Sequence, residues 1–205
     1  GPTHEPVEQE AQIRLLEKLQ NHKGQDSLRV FRPADAEETT VCWAMAMENM
    51  ETPTALIFSR QNIAELPAGN DYEQARKGAY VVAGSDDPFD VILLASGSEV
   101  STLEAGKELL EKDGVRCRVV SAPSEGLFRR QSKEYQESVL PTGSKIFGMT
   151  AGLPVTLEGL VGIGPNSRIF GMKSFGFSAP YKVLDEKLGF TAENVYKQVK
   201  DFLGK

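Results

Sequence analysis

Three stretches of the sequence place reactive side chains where a ligand could meet them. "PTALIFSRQN" (53–62) is an apolar run that stops on Ser59, Arg60 and Gln61. In open α/β sheets ligands gather beyond the carboxyl ends of the strands, and a planar guanidinium there can grip a phosphate through two parallel hydrogen bonds. The same arginine can instead close an ion pair within its own fold, and the residues alone favour that reading. "GPTHEP" (1–6) holds His4 between Pro2 and Pro6. Each proline restricts its own φ and the residue before it, so the loop presents its imidazole at small entropic cost. Imidazole is the side chain suited to accepting or donating a proton near neutral pH, although a structural role fits these residues slightly better. "ASGSEV" (95–100) joins an apolar run to a helix through Gly97 and Ser98, a turn whose free N–H groups could hold an anion. Without a G-x-G-x-x-G pattern or a Walker-type lysine, a tight turn capped by Ser98 is the expected outcome.

The other candidates carry less. His22 lies among Asn, Lys and Gly and is expected in solvent. Cys42 and Cys117 sit inside apolar stretches, which suits buried, reduced thiols better than a disulfide or a metal site and points to the cytoplasm. The formal charge of -6 argues against a nucleic-acid or acidic-membrane partner, since both reward a basic face, although an anion can still bind locally. No run of 18 apolar residues and no signal-type segment is present, so neither membrane insertion nor export is expected. Hydrophobic residues at 40% and charged residues at 25% are those of a packed globular chain rather than a disordered one. The opening "GPTHEPVEQ" lacks an initiator methionine, which predicts a chain whose beginning has been removed.

The elements that must position these side chains follow from periodicity. Residues 8–20 place Ile13, Leu16 and Leu19 at helical spacing, predicting an amphipathic helix with that stripe buried. "LRVF" (28–31) predicts a strand, and Asp35 with Glu38 three residues on predicts a capped helix to about Asn49. Pro53 opens a buried strand. The polar stretch 65–78 reads as a linker, which sets a boundary near residue 78. Beyond it strands at 80–83, 90–96, 115–123, 145–149 and 168–172 alternate with helices at 99–112, 132–139 and from Thr191. The last helix carries Val195, Val199, Phe202 and Leu203 on one face. Continuous apolar strands separated by helices predict an α/β fold: a three-layer α/β/α domain with a mostly parallel sheet over 79–205, preceded by part of a second α/β domain over 1–78. "KIFGM" and "RIFGM" echo each other without a third copy, and read as two buried strands of like composition rather than as a repeat.

Taken in order, "GPTHEP", "FRPADAEET", "PTALIFSRQN", "GAYVV", "DVILLASGSEV", "RVVSAPS", "YQESVLP" and "FGFSAP" with "LGFTAENV" resemble the C-terminal third of the transketolase family, in detail those of the Bacteroides type. The resemblance implies that residues 1–78 are the second half of a pyrimidine-binding domain and 79–205 a complete C-terminal domain. It also implies transfer of a two-carbon ketol unit between sugar phosphates in the pentose phosphate pathway, with thiamine diphosphate and Mg2+. By the same resemblance Arg60 binds the substrate phosphate, and His4 binds substrate and assists catalysis near the reacting carbons. The family's metal, diphosphate and pyrimidine contacts lie upstream of "GPTH", so neither cofactor nor metal is expected on this stretch by itself, nor is activity. The implied partners are the N-terminal part of the same enzyme and a second copy in a homodimer. A self-standing dimerisation or binding module, a deoxyxylulose phosphate synthase and an oxoacid dehydrogenase component are the alternatives, the last two being less able to carry "GPTHEP" and "SRQN" together.

Overall fold

A computed structural model describes residues 2–67, 69–84 and 88–205. A single 3-10 turn, Pro2–His4, leads into α1 (Gln9–Leu16), β1 (Arg29–Phe31), α2 (Ala36–Glu48) and β2 (Thr54–Leu56). β1 and β2 pair in parallel as a two-stranded sheet. After a second 3-10 segment, Tyr72–Lys77, come β3 (Tyr80–Gly84), β4 (Val91–Ala95), α3 (Glu99–Lys112), β5 (Cys117–Ser121), α4 (Glu125–Arg129) and α5 (Lys133–Val139). The chain continues through β6 (Ile146–Thr150), α6 (Val155–Val161), β7 (Ser167–Gly171), α7 (Tyr181–Leu188) and α8 (Ala192–Leu203).

The larger sheet has the order β3-β5-β4-β6-β7, parallel throughout except for β3, which runs antiparallel to β5 at one edge. All five residues of β4 are buried, as a strand covered on both faces requires. Val91, Leu93 and Phe147 face a core built with Val100, Leu103 and Leu110 of α3 and Val195 and Val199 of α8. Ile92, Leu94 and Val120 face the opposite core with Phe128, Val139, Leu157 and Val161 from α4, α5 and α6. The three-layer α/β/α arrangement with a mostly parallel sheet is therefore the observed one. The two echoing pentapeptides are neighbouring strands, but Phe147 pairs with Arg168, so the similar residues do not stand opposite one another.

Several local expectations change. α1 stops at Leu16, and its apolar stripe is not buried: Leu16 and Leu19 are exposed, whereas Arg14 is buried. The side of α1 that packs is charged, for a reason given below. β2 is half-buried, with β1 as its one strand partner among the described residues. Ser98 does not cap α3; its own backbone is helical and its hydroxyl donates to Glu99 Oε1 at 2.8 Å. Helices α4, α6 and α7, of five to eight residues, have no counterpart in the periodicity reading. The stretch 65–78 read as a linker lies against α2. Asp35 Oδ1 caps α2 by accepting from the Glu38 N–H, and its Oδ2 accepts from the Leu66 N–H at 2.9 Å and the Tyr72 hydroxyl at 2.8 Å. Phe31, Cys42, Met45, Leu66 and Ala75 join the core that contains Leu93 and Val195, so apolar packing runs on through residue 78. Both cysteines are free and buried, and burial pushes both thiols up, Cys117 to about 12.

Candidate functional site

The carboxyl ends of β1, β2, β4 and β6 converge on one cavity of about 460 Å3. From β4 the chain crosses to β5 on one side, and β6 lies on the other, so the carboxyl end of β4 is the switch point at which such sheets bind ligands. Pro6 and Val7, which follow His4, line one wall; Ser59 and Gln61, which flank Arg60, line another. The floor comprises Ser98 and Glu99 at the start of α3 and Ala151 and Gly152 after β6.

The structure thus brings together the segments that carry the two singled-out residues, while the two side chains themselves stay exposed and do not line the cavity. Among the described residues Arg60 makes no hydrogen bond or ion pair, so the ion pair favoured by its residue context does not form. An exposed, uncommitted guanidinium beside the cavity is available to an anion. His4 ends the first 3-10 turn, likewise exposed, and His22 is exposed as expected.

Beneath the cavity lies a feature that periodicity did not find. Glu17, Arg14, Glu10, Arg32 and Glu99 form an alternating chain of charges. Arg14 Nε donates to Glu10 Oε1 at 2.9 Å, Arg32 Nε lies 3.5 Å from Glu10 Oε2, and Arg32 Nη1 and Nη2 donate to the two oxygens of Glu99 at 2.6 and 3.1 Å. Arg14 Nη1 is 3.9 Å from Glu17 Oε2, and Glu17 Oε1 accepts from the Val30 N–H at 2.9 Å. This chain explains why α1 turns its charged side inward. Buried charges persist only when paired, and here Arg14 is held between Glu10 and Glu17 of its own helix and cap, while Glu10 and Glu17 reach across to Arg32 and the Val30 N–H. Burial opposes the charge of Arg32, but the adjacent Glu99 and Glu10 carboxylates outweigh it and hold the guanidinium's pKa above its ordinary value. The Glu10–Arg14–Glu17 spacing was visible in the sequence; Arg32 and Glu99, far along the chain, were not assignable to it.

The "ASGSEV" turn is filled by this network. Gly97 has φ +66, and a Cβ there would lie 2.6 Å from the Arg32 guanidinium carbon, so glycine serves both the left-handed turn and the close approach. Arg32 Nη1 donates to the Ser96 carbonyl, and Glu99 Oε2 also accepts from the Ala151 N–H at 3.1 Å. The turn is accordingly a packed junction. Asp185 on α7 also lines the cavity, its carboxyl raised by burial and by the charge of Glu99.

Among the described residues no group of three or more His, Cys, Asp or Glu side chains is placed to hold a metal ion, and Glu10 and Glu99 are engaged by arginines. The described residues around this cavity accordingly do not fit a metal centre. Among the described residues no helix is long and apolar enough to cross a membrane.

Comparison with known proteins gives a consistent result. A family model described as "Transketolase-like TK C-terminal domain" matches residues 78–191, and one described as "Transketolase, pyrimidine binding domain" matches residues 1–65. The chain is 42% identical over 204 residues to a transketolase of Staphylococcus epidermidis and 41% identical over 209 residues to one of Halalkalibacterium halodurans, covering 98% and 99% of itself. It spans 29% of the length of each of these relatives. Among solved structures, transketolase from Leishmania mexicana superposes with a TM-score of 0.85 at 36% identity, over 100% of this chain and 28% of that one.

Proposed function

Because this chain belongs to the transketolase family, we propose that it works as the C-terminal portion of a longer thiamine diphosphate-dependent enzyme. That enzyme transfers a two-carbon ketol unit from a ketose phosphate to an aldose phosphate. The observation that supports this most directly is the convergence of the His4 and Arg60 segments on one cavity at the carboxyl ends of β1, β2, β4 and β6. On this reading Arg60 binds the substrate's phosphate as a two-pronged donor, and His4 binds the sugar near the reacting carbons and assists proton movement. Thiamine diphosphate would supply the carbanion chemistry, held with Mg2+ by residues upstream of Gly1. Residues 1–78 complete the pyrimidine-binding domain, residues 79–205 form the C-terminal domain, and the whole assembles as a cytoplasmic homodimer. The matches to separate family models over 1–65 and 78–191 support that division.

The test uses the full-length protein with thiamine diphosphate and Mg2+. Ketol transfer from xylulose 5-phosphate to ribose 5-phosphate is expected, and His4→Ala and Arg60→Ala should each lower kcat/KM. An inactive full-length protein, or both variants at the parent's rate, would overturn the reading.

A further inference from the structure

The motif "FGFSAP" (175–180) helped identify the family, yet the proposed function gives it no task. It lies in the loop between β7 and α7, on the C-terminal side of the molecule. The Gly176 N–H donates to the Glu5 carbonyl at 2.8 Å, and the Leu153 N–H donates to the Val7 carbonyl at 3.3 Å. These acceptors flank Pro6 in the segment that carries His4. The two donating loops are joined to each other, because the Met172 N–H donates to the Gly152 carbonyl at 2.9 Å. A third hold comes from Glu10, whose carboxylate meets Arg14 and Arg32, while Arg32 reaches Glu99 and Glu99 accepts from the Ala151 N–H. The segment 5–10 is thereby fixed at three points, and the contacts close a ring through the loops after β6 and β7.

We infer that the loops after β6 and β7 position His4, with Gly176 and Leu153 as positioning residues for the proposed reaction. Glu5 is covalently next to His4, so anchoring the Glu5 carbonyl restricts the backbone orientation from which the imidazole projects. Gly176 suits this position sterically: a Cβ there would lie 3.1 Å from Glu5 Cβ and 3.4 Å from the Glu5 oxygen, so any side chain pushes on the anchored segment. A Cβ on Gly152 would lie 3.3 Å from the Val7 oxygen. Neither glycine has a positive φ, so close approach rather than backbone conformation is what a side chain would disturb. The C-terminal unit thus acts on the reaction without contributing a group to it.

This inference rests on the reading of His4 above, and the experiment separates the two. In the full-length enzyme Gly176→Pro deletes the donor, and Gly176→Ala is a milder variant that keeps it while crowding Glu5. A displacement of about 1 Å costs up to roughly 100-fold in rate, so kcat should fall by about 10 to 100-fold for Gly176→Pro and less for Gly176→Ala. The KM that reports phosphate binding should move little. In a His4→Ala background the same substitutions should change kcat less than about 2-fold, because residues acting as one unit are not additive. Equal losses in both backgrounds would overturn the inference. Amide exchange on the 205-residue chain supplies a readout independent of turnover. Gly176→Pro should speed exchange at Val7 and Leu153, whose N–H groups donate to the Glu8 carboxylate and to the Val7 carbonyl, while leaving β4 unchanged. Unmoved exchange at those amides would overturn the positioning inference, whereas a fully active His4→Ala enzyme would overturn the catalytic reading of His4.

Discussion

The Ser121 hydroxyl donates a 2.7 Å hydrogen bond to Glu38 Oε1, linking the first turn of α2 to the end of β5. Glu38 is fully buried, and its other oxygen accepts from the Ala34 N–H at 2.6 Å. Burial pushes its carboxyl up to about 7, against the opposing effect of these hydrogen bonds and with some help from the charge of Asp35. An unfolded glutamate titrates near 4.5, so between about pH 4.5 and 7 the folded state binds more protons from this group than the unfolded state does. Its contribution to stability is fully present below 4.5 and is lost as pH rises through 7. Glu38→Gln should remove that decline, worth about 3 kcal/mol between pH 4.5 and 8. Urea melts of both proteins at the two pH values check it, and identical pH dependences would show that Glu38 does not carry the proton.

Arg32 is the cation that joins Glu10 to Glu99 in the buried charge chain. Arg32→Met should leave Glu99 without a cation and Glu10 with Arg14 alone, at a cost of roughly 3 to 5 kcal/mol. Arg32→Lys should recover only part of this, since an ammonium cannot serve both oxygens of Glu99 while also approaching Glu10. Thermal melts of the two variants give the ranking, and a lysine variant as stable as the parent would contradict it.

Arg60 should behave in the opposite way. It is exposed and uncommitted, so Arg60→Ala should leave the melting temperature nearly unchanged. In the full-length enzyme it should raise KM for phosphorylated sugars much more than it lowers kcat. A charge-assisted contact contributes about 1.5 to 3 kcal/mol, equivalent to roughly 10 to 150-fold in kcat/KM. Unphosphorylated acceptors should be almost indifferent. Equal losses for both substrate types would assign Arg60 a structural part instead.

The 205-residue chain alone should not transfer ketol units, because it spans 29% of the length of the transketolases it resembles and, among the described residues, no group of three or more His, Cys, Asp or Glu side chains is placed to hold a metal ion. Xylulose 5-phosphate, ribose 5-phosphate, thiamine diphosphate and Mg2+ incubated with the purified chain should give no product above buffer. Sustained turnover would contradict this.

What was legible in the sequence depended on how local the determining physics is. β4, β5 and β6 read directly from their apolar runs, because a strand covered on both faces needs nothing else, and the Asp35 cap read from residues three positions apart. α1 did not. Ile13, Leu16 and Leu19 and the set Glu10, Arg14 and Glu17 have the same helical spacing, and which set is buried was decided by Arg32 and Glu99, far away in sequence. Ser98 failed as a cap for a local reason: its backbone is already helical and its hydroxyl donates to Glu99. His4 and Arg60 could be singled out as candidates by residue type and flanking sequence, but the backbone bonds from Gly176 and Leu153 to the His4 segment could not, since N–H groups carry no sequence signature.

The contact between α3 and α8 bears on the order in which this polypeptide can acquire its shape. A Cβ on Gly106 would lie only 2.4 Å from a methyl carbon of Val195, so α8 rests directly on the backbone of a helix made much earlier in the chain. During synthesis β4 and β5 leave the ribosome long before α8 does, and until then Leu103 and Leu110 lack the cover that Val195 and Val199 later provide. Domains complete only when their last packing element is available, and partly covered sheets are where association with other nascent chains begins. A ribosome stalled before residue 192 should therefore present a chain that chaperones hold, and one stalled well beyond residue 203 a chain that they release.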